Sequence, residues 1–156
     1  MEIIRRLSAD DLPRLRAFWI EHWGGEEIIA HGQVIQPEQV DGFVCGDWSG
    51  LVTFCFRENE CEITSLNSLL EEQGIGSRLI EAVIEEAKIK RCRRISLITT
   101  NDNLHALGFY QKRGFSLFAI YRRAIDESRK RKPTISLIGE NGIPLRDEIE
   151  LELLLE

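Results

Sequence analysis

The spacing of apolar residues changes several times along the chain, and each change marks an element. Residues 2–6 form a short strand-like run. The helix-start sequence Ser8-Ala9-Asp10-Asp11 then leads into Leu12, Leu15, Trp19 and Trp23 at helical spacing. This predicts a helix to about His22 whose tryptophans pack against a sheet, with Pro13 tolerated in the first turn and Gly24-Gly25 as the stop. Residues 26–39 keep neither period; 26–32 read as helix or as irregular chain, and Pro37 closes the segment.

From Gly42 the period becomes that of strands. Phe43-Val44-Cys45 and the run 51–56 flank a turn at 46–50 and predict an antiparallel hairpin. The second strand is apolar on both faces, so it is central. A third antiparallel strand over 60–66 puts Cys61, Ile63 and Ser65 on one face and Glu62, Thr64 and Leu66 on the other. Ile75, Leu79, Ile80, Val83, Ile84 and Ala87 then form one helical stripe. A strand over 94–99 follows, so strand, helix and strand imply a crossover. Residues 103–113 read as a helix stopped by Gly114, and 115–121 as a strand. After an excursion over 124–146, residues 147–155 alternate: Ile149, Leu151, Leu153 and Leu155 point one way, Glu148, Glu150 and Glu152 the other. No repeat or linker divides the 156 residues. The expectation is one α/β domain over 1–156, with a mixed, mostly antiparallel central sheet of about seven strands flanked by helices.

Composition narrows the class. Hydrophobic residues make up 43% and charged residues 29%, and no window reaches the apolar length of a membrane span. Residues 1–6 lack a signal peptide's apolar core, which argues for a cytoplasmic protein without a membrane partner. Cys45, Cys55, Cys61 and Cys92 form no Cys-x-x-Cys pair, so reduced thiols and no metal site are expected. A net charge of −6 disfavours nucleic acid, and the basic run 129–132 reads as solvated surface. An acidic protein suits a cationic substrate such as an amine.

The stretch from Leu69 to Ile80 carries the chemistry. A loop with Gly74 and Gly76 turns directly into the amphipathic helix, whose first N–H groups and positive dipole end favour an anion, with phosphate the natural guest. It is not a dinucleotide fingerprint, because Leu79 stands where a third glycine belongs. Nor is it a P-loop, because Gly-Lys-Ser/Thr is missing.

This order of elements resembles the GNAT family of acyl-CoA-dependent N-acetyltransferases, over nearly the whole chain and most strongly over 62–115. The family's loop of Gln or Arg, two residues, Gly, one residue, and Gly or Ala falls on 71–76, departing at Glu71. Residues 103–115 look like the family's Asn-x-x-Ala-x-x-Phe-Tyr-x-Lys-x-Gly-Phe helix. The resemblance implies acetyl-CoA as acyl donor and a small-molecule or peptide amine as acceptor, and leaves a homodimer open. It further implies that the N–H groups of Gln73, Gly74, Ile75, Gly76, Ser77 and Arg78 bind the pyrophosphate. Leu66, Asn67 and Ser68 would pair with the pantetheine arm, with the Leu66 N–H polarising the thioester carbonyl. Asn103 would contact the same arm or simply cap its helix. Tyr110 would protonate the leaving thiolate, and Glu62, with Glu60 in reserve, would take the amine's proton. The alternative is a non-catalytic acyl-CoA-binding sensor or interaction module of the same fold.

Overall fold

The computed structural model describes residues 2–69 and 74–156. The chain divides into two units, one of Met1–Ile28, Ile35–Ile95 and Leu155–Glu156, the other of Ile29–Val34 and Ser96–Leu154.

In the first unit, strand β1 (Ile4–Arg6) leads through a 3-10 turn into helix α1 (Leu12–Trp23), with Pro13 in the first turn and Gly24 as a left-handed cap. Strands β4 (Asp41–Cys45), β5 (Gly50–Arg57) and β6 (Glu60–Ser68) form the expected meander, β1 pairing with β4. Helix α2 (Ile75–Ile89) follows. Its buried residues Ile75, Leu79, Ile80, Val83 and Ala87 belong to the stripe read from the sequence, whose remaining member Ile84 is half-buried. The core gathers Leu15, Phe18 and Trp19 of α1 with Ile35, Val44, Trp48 and Leu51. In β5, Leu51, Val52, Thr53 and Phe54 are all buried, as a central strand requires. Thr53 is tolerated there because its hydroxyl bonds Thr64 Oγ1 at 2.7 Å and Ser65 Oγ at 2.5 Å.

Residues 26–32 were expected to be helical or irregular, and most of them belong to a hairpin instead; a 3-10 turn at Pro37–Gln39 then closes the segment. Strands β2 (Ile28–Ala30) and β3 (Gln33–Ile35) make a separate two-stranded sheet. The reason is the turn: His31 (φ 50°) and Gly32 (φ 73°) both take positive φ, as a two-residue hairpin turn demands, between the β-branched pairs Ile28-Ile29 and Val34-Ile35. Trp23 is a second correction. It was expected to pack inside, yet it is 41% exposed, while Trp19 is fully buried.

The second unit holds most of strand β7 (Arg94–Thr100), helix α3 (Leu104–Lys112), strand β8 (Ser116–Tyr121), helix α4 (Ala124–Arg131) and strand β9 (Glu148–Leu154). β8 and β9 pair antiparallel, Tyr121 opposite Glu148. The outward row of glutamates expected on β9 fails at its first member: Glu148 is only 2% exposed. The hairpin turn supplies the reason, because the His31 N–H is shared between both Glu148 carboxylate oxygens at 3.1 Å.

The strand order is β1-β4-β5-β6-β7-β9-β8, a seven-stranded mixed sheet, mostly antiparallel and accompanied by helices, as expected. No helix among the described residues is long and apolar enough to cross a membrane.

Candidate functional site

The start of α2 is set by two glycines. Gly74 is the N-cap in the left-handed conformation (φ 70°), and among the described residues nothing lies within 4 Å of where its side chain would be. Gly50, at the start of β5, lets the helix close on the sheet: a Cβ there would sit 2.4 Å from Ile75 Cγ2. The first helical bond runs from the Arg78 N–H to the Gly74 carbonyl at 3.1 Å. The donor run expected over 73–78 therefore shortens at its end, since the Arg78 N–H is committed within the helix, and the Arg78 guanidinium donates to the Glu2 carbonyl at 2.8 Å. Among the described residues, the N–H groups of Ile75 and Gly76 precede that bond. Glu71 and Gln73 lie outside the described residues.

Gly50 also pairs with Ser68 at the end of β6, with Leu51 opposite Asn67 and Val52 opposite Leu66. The helix start and the strand end expected to hold one ligand are thus neighbours through one residue. Upstream, Ser65 pairs with Thr53 but Ile63 pairs with Phe54, leaving Thr64 as a bulge that bends the strand just before Leu66. The Asn67 side chain accepts a hydrogen bond from Trp23 Nε1 at 3.0 Å. This contact was not foreseen; an aromatic residue one turn beyond the buried Trp19 looked like more core.

The two candidate bases on β6 differ. Glu60 receives Arg93 at 2.6 Å and Arg94 at 2.8 Å, and these guanidiniums, Arg93 foremost, hold its carboxyl below the usual carboxylate range. A carboxylate so paired is a poor proton acceptor. Glu62 has a looser setting, with Arg57 at 3.5 Å and the Cys55 thiol donating at 3.8 Å. It is four residues from Leu66, roughly 13 Å of extended strand.

In the second unit, α3 carries the other expected residues. Asn103 is its N-cap, with Oδ1 accepting the Ala106 N–H at 3.1 Å, so the capping role is filled by its side-chain oxygen. Tyr110 is buried between Phe109 and Phe115, with ring centroids at 5.2 and 5.4 Å, both edge-on. Burial pushes its phenol well above the ordinary range, only partly offset by Arg113, so the group keeps its proton at neutral pH.

Sequence reasoning also missed a polar cluster in this unit. The His31 ring lies 4.0 Å from the Tyr121 ring, and the Tyr121 hydroxyl donates to Glu150 Oε1 at 2.5 Å. Burial raises the Glu148 carboxyl above its usual range, against the opposing influence of His31. Strand alternation assigns Glu148 a face but says nothing of what covers it.

Against known proteins, the pattern described as the Acetyltransferase (GNAT) family matches residues 5–115. The uncharacterized protein YdhI of Bacillus subtilis (strain 168) is 42% identical over 139 residues, spanning 86% of this chain and 87% of that protein. Among solved structures, a GNAT family acetyltransferase from Elizabethkingia anophelis with acetyl-CoA bound superposes with a TM-score of 0.74 at 22% identity, covering 99% of this chain and 98% of that one. A Bacillus subtilis acetyltransferase in complex with CoA gives 0.72 at 24% identity, with both chains fully covered.

Proposed function

The chain belongs to the acetyltransferase (GNAT) family and is an N-acetyltransferase; on that premise we propose how its residues move an acetyl group from acetyl-CoA to a primary amine by direct attack. What carries the proposal is the junction at Gly50, where the N-terminus of α2 closes on the strand end Leu66–Ser68. An anion at Ile75 and Gly76 meets the positive end of a fifteen-residue helix, which suits a pyrophosphate. A thioester beside Leu66 has its carbonyl oxygen met by a backbone N–H where negative charge develops during attack.

Each remaining residue takes one role. Glu62 accepts the amine's proton through intervening water, because about 13 Å of strand separates it from Leu66. Glu60, held by two guanidiniums, does not serve. Tyr110, neutral at working pH, gives its own phenolic proton to the CoA thiolate as the carbon–sulfur bond breaks, and the phenolate regains a proton from solvent after turnover. Asn103 meets the pantetheine arm with its amide nitrogen while its oxygen caps α3. Residues 1–156 work as one domain, on a small-molecule or peptide amine. The four thiols are free, as a reducing compartment keeps them, which fits a cytoplasmic enzyme.

The test is a thermal-shift comparison of CoA, acetyl-CoA and longer acyl-CoAs, followed by thiol release over a panel of primary amines. Stabilisation by acetyl-CoA with turnover of an amine is the expected result. Stabilisation without turnover of any amine would favour an acyl-CoA sensor, and no stabilisation at all would sink the donor site.

A further inference from the structure

We infer that the excursion between β8 and β9 is a docked arm that sets the geometry of the donor site, and that Asp102 is the positioning residue through which it acts on Asn103. The inference rests on the reading that Asn103 meets the pantetheine arm.

The contacts are concentrated on two consecutive residues. Asn101 holds the returning limb: its Oδ1 accepts the N–H groups of Arg146 at 3.0 Å and Asp147 at 2.9 Å, its Nδ2 donates to the Pro144 carbonyl at 2.8 Å, and its own N–H reaches the Asp147 carbonyl at 3.0 Å. Asp102 holds the outgoing limb. Its Oδ2 accepts the Glu140 N–H at 2.8 Å, its Oδ1 accepts the Thr100 hydroxyl at 2.5 Å, and its carbonyl accepts Asn141 Nδ2 at 3.3 Å. Asp102 is only 5% exposed, so these donors replace water around a buried carboxylate.

The fit at Asp102 admits no side chain at Gly139. A Cβ added at Gly139 would lie 2.1 Å from Asp102 Oδ2 and 3.0 Å from its Cβ. The arm is also braced internally. The Arg129 guanidinium bonds the carbonyls of Ile135 at 3.2 Å, Ser136 at 2.6 Å and Leu145 at 2.6 Å. A displacement at 139 therefore falls on Asp102 rather than being absorbed within the arm.

Asp102 passes the constraint on directly. Its carbonyl accepts the Leu104 N–H at 2.9 Å, and the next residue is Asn103, whose N–H is fixed to the Thr100 carbonyl at 3.1 Å and whose side chain caps α3. Moving Asp102 turns the Asn103 carboxamide. The excursion, remote in sequence from every donor-binding residue, thereby tunes affinity for acetyl-CoA.

The experiment measures the acetyl-CoA dissociation constant by calorimetry on the full chain, which needs no knowledge of the acceptor. Asn103→Ala, Asp102→Ala, Asp102→Asn and Gly139→Ala are compared, with the double variant Asp102→Ala/Gly139→Ala, each at a temperature where it is folded. The expected result is an affinity loss of about tenfold in Asn103→Ala, Asp102→Ala and Gly139→Ala, with the double variant no weaker than the worse single one. Gly139→Ala that lowers the melting temperature but leaves the dissociation constant unchanged overturns the inference, as do losses that add in the double variant. Should Asp102→Ala fail to fold, Gly139→Ala decides the matter alone, and Asp102→Asn, which keeps the Oδ acceptor for the Glu140 N–H, should bind acetyl-CoA more tightly than Gly139→Ala. If Asn103→Ala binds acetyl-CoA as the wild type does, the donor-arm reading itself fails and takes this inference with it.

Discussion

Trp23 donates its indole N–H to the Asn67 side-chain oxygen across 3.0 Å, joining the end of α1 to the end of β6. An indole nitrogen can only donate, so the oxygen of Asn67 must face it and the amide N–H groups must face elsewhere. That relationship fixes one side chain of the strand end proposed to receive the donor's arm.

Replacing Trp23 by Phe keeps an aromatic ring and removes the donor. Because the indole is partly exposed, stability should fall by about 1 kcal/mol or less. Freed, the Asn67 carboxamide can rotate, and acetyl-CoA binding should weaken a few-fold. Calorimetry with acetyl-CoA on Trp23→Phe decides whether the bond matters to the ligand; an unchanged dissociation constant would confine it to structure.

Tyr110 offers a sharper contrast between binding and chemistry. Its phenol is held above the ordinary range by burial, so it stays protonated through neutral pH and a loss caused by removing it should not vary there. Tyr110→Phe is expected to lower kcat by about a hundredfold or more, with acetyl-CoA affinity little changed. Unaltered turnover across the pH range would remove the residue from the proton path.

Glu148 predicts a pH dependence of stability. Burial raises its carboxyl above the ordinary 4.5 in the folded state. A carboxyl raised on folding binds its proton more tightly in the native state, so its contribution is fully present below the unfolded value and is lost as pH rises through the folded one. Gln at this position can still accept the His31 N–H and carries no charge. The stability of wild type relative to Glu148→Gln should therefore decline as pH is raised from about 4.5 toward neutrality. Parallel melting curves for the two proteins over that range would contradict the assignment.

The α2 stripe was legible because one helix face meets one sheet, so a period of 3.6 suffices to name Leu79, Ile80 and Val83. The faces of β6 were legible for the same reason: Cys61, Ile63 and Ser65 are buried as alternation demands. Glu148 was not, because its neighbour His31 is 117 positions away and strand alternation cannot name what covers a face. The β2–β3 hairpin carried a signal in its paired β-branched residues, but His-Gly is an uncommon turn pair and the period was too short to register. The docking of residues 139–147 on Asn101 and Asp102 left no trace in local pattern, since it depends on backbone groups that every residue possesses.

Gly50 concentrates the site's dependence on packing into one atom. Its pairing with Ser68 belongs to the sheet, and its bare Cα belongs to the seat of Ile75 at the start of α2. A methyl group there would stand 2.4 Å from Ile75 Cγ2 and 3.1 Å from Leu79 Cδ1, both on the helix, so α2 must lift or Ile75 must leave its place. Overpacking of this kind costs about 1–3 kcal/mol, and here the displaced element is the one whose N-terminus faces the proposed pyrophosphate. Gly50→Ala should consequently lower the melting temperature and weaken CoA binding together. A loss of stability without a loss of CoA affinity would show that the helix end and the ligand are independent.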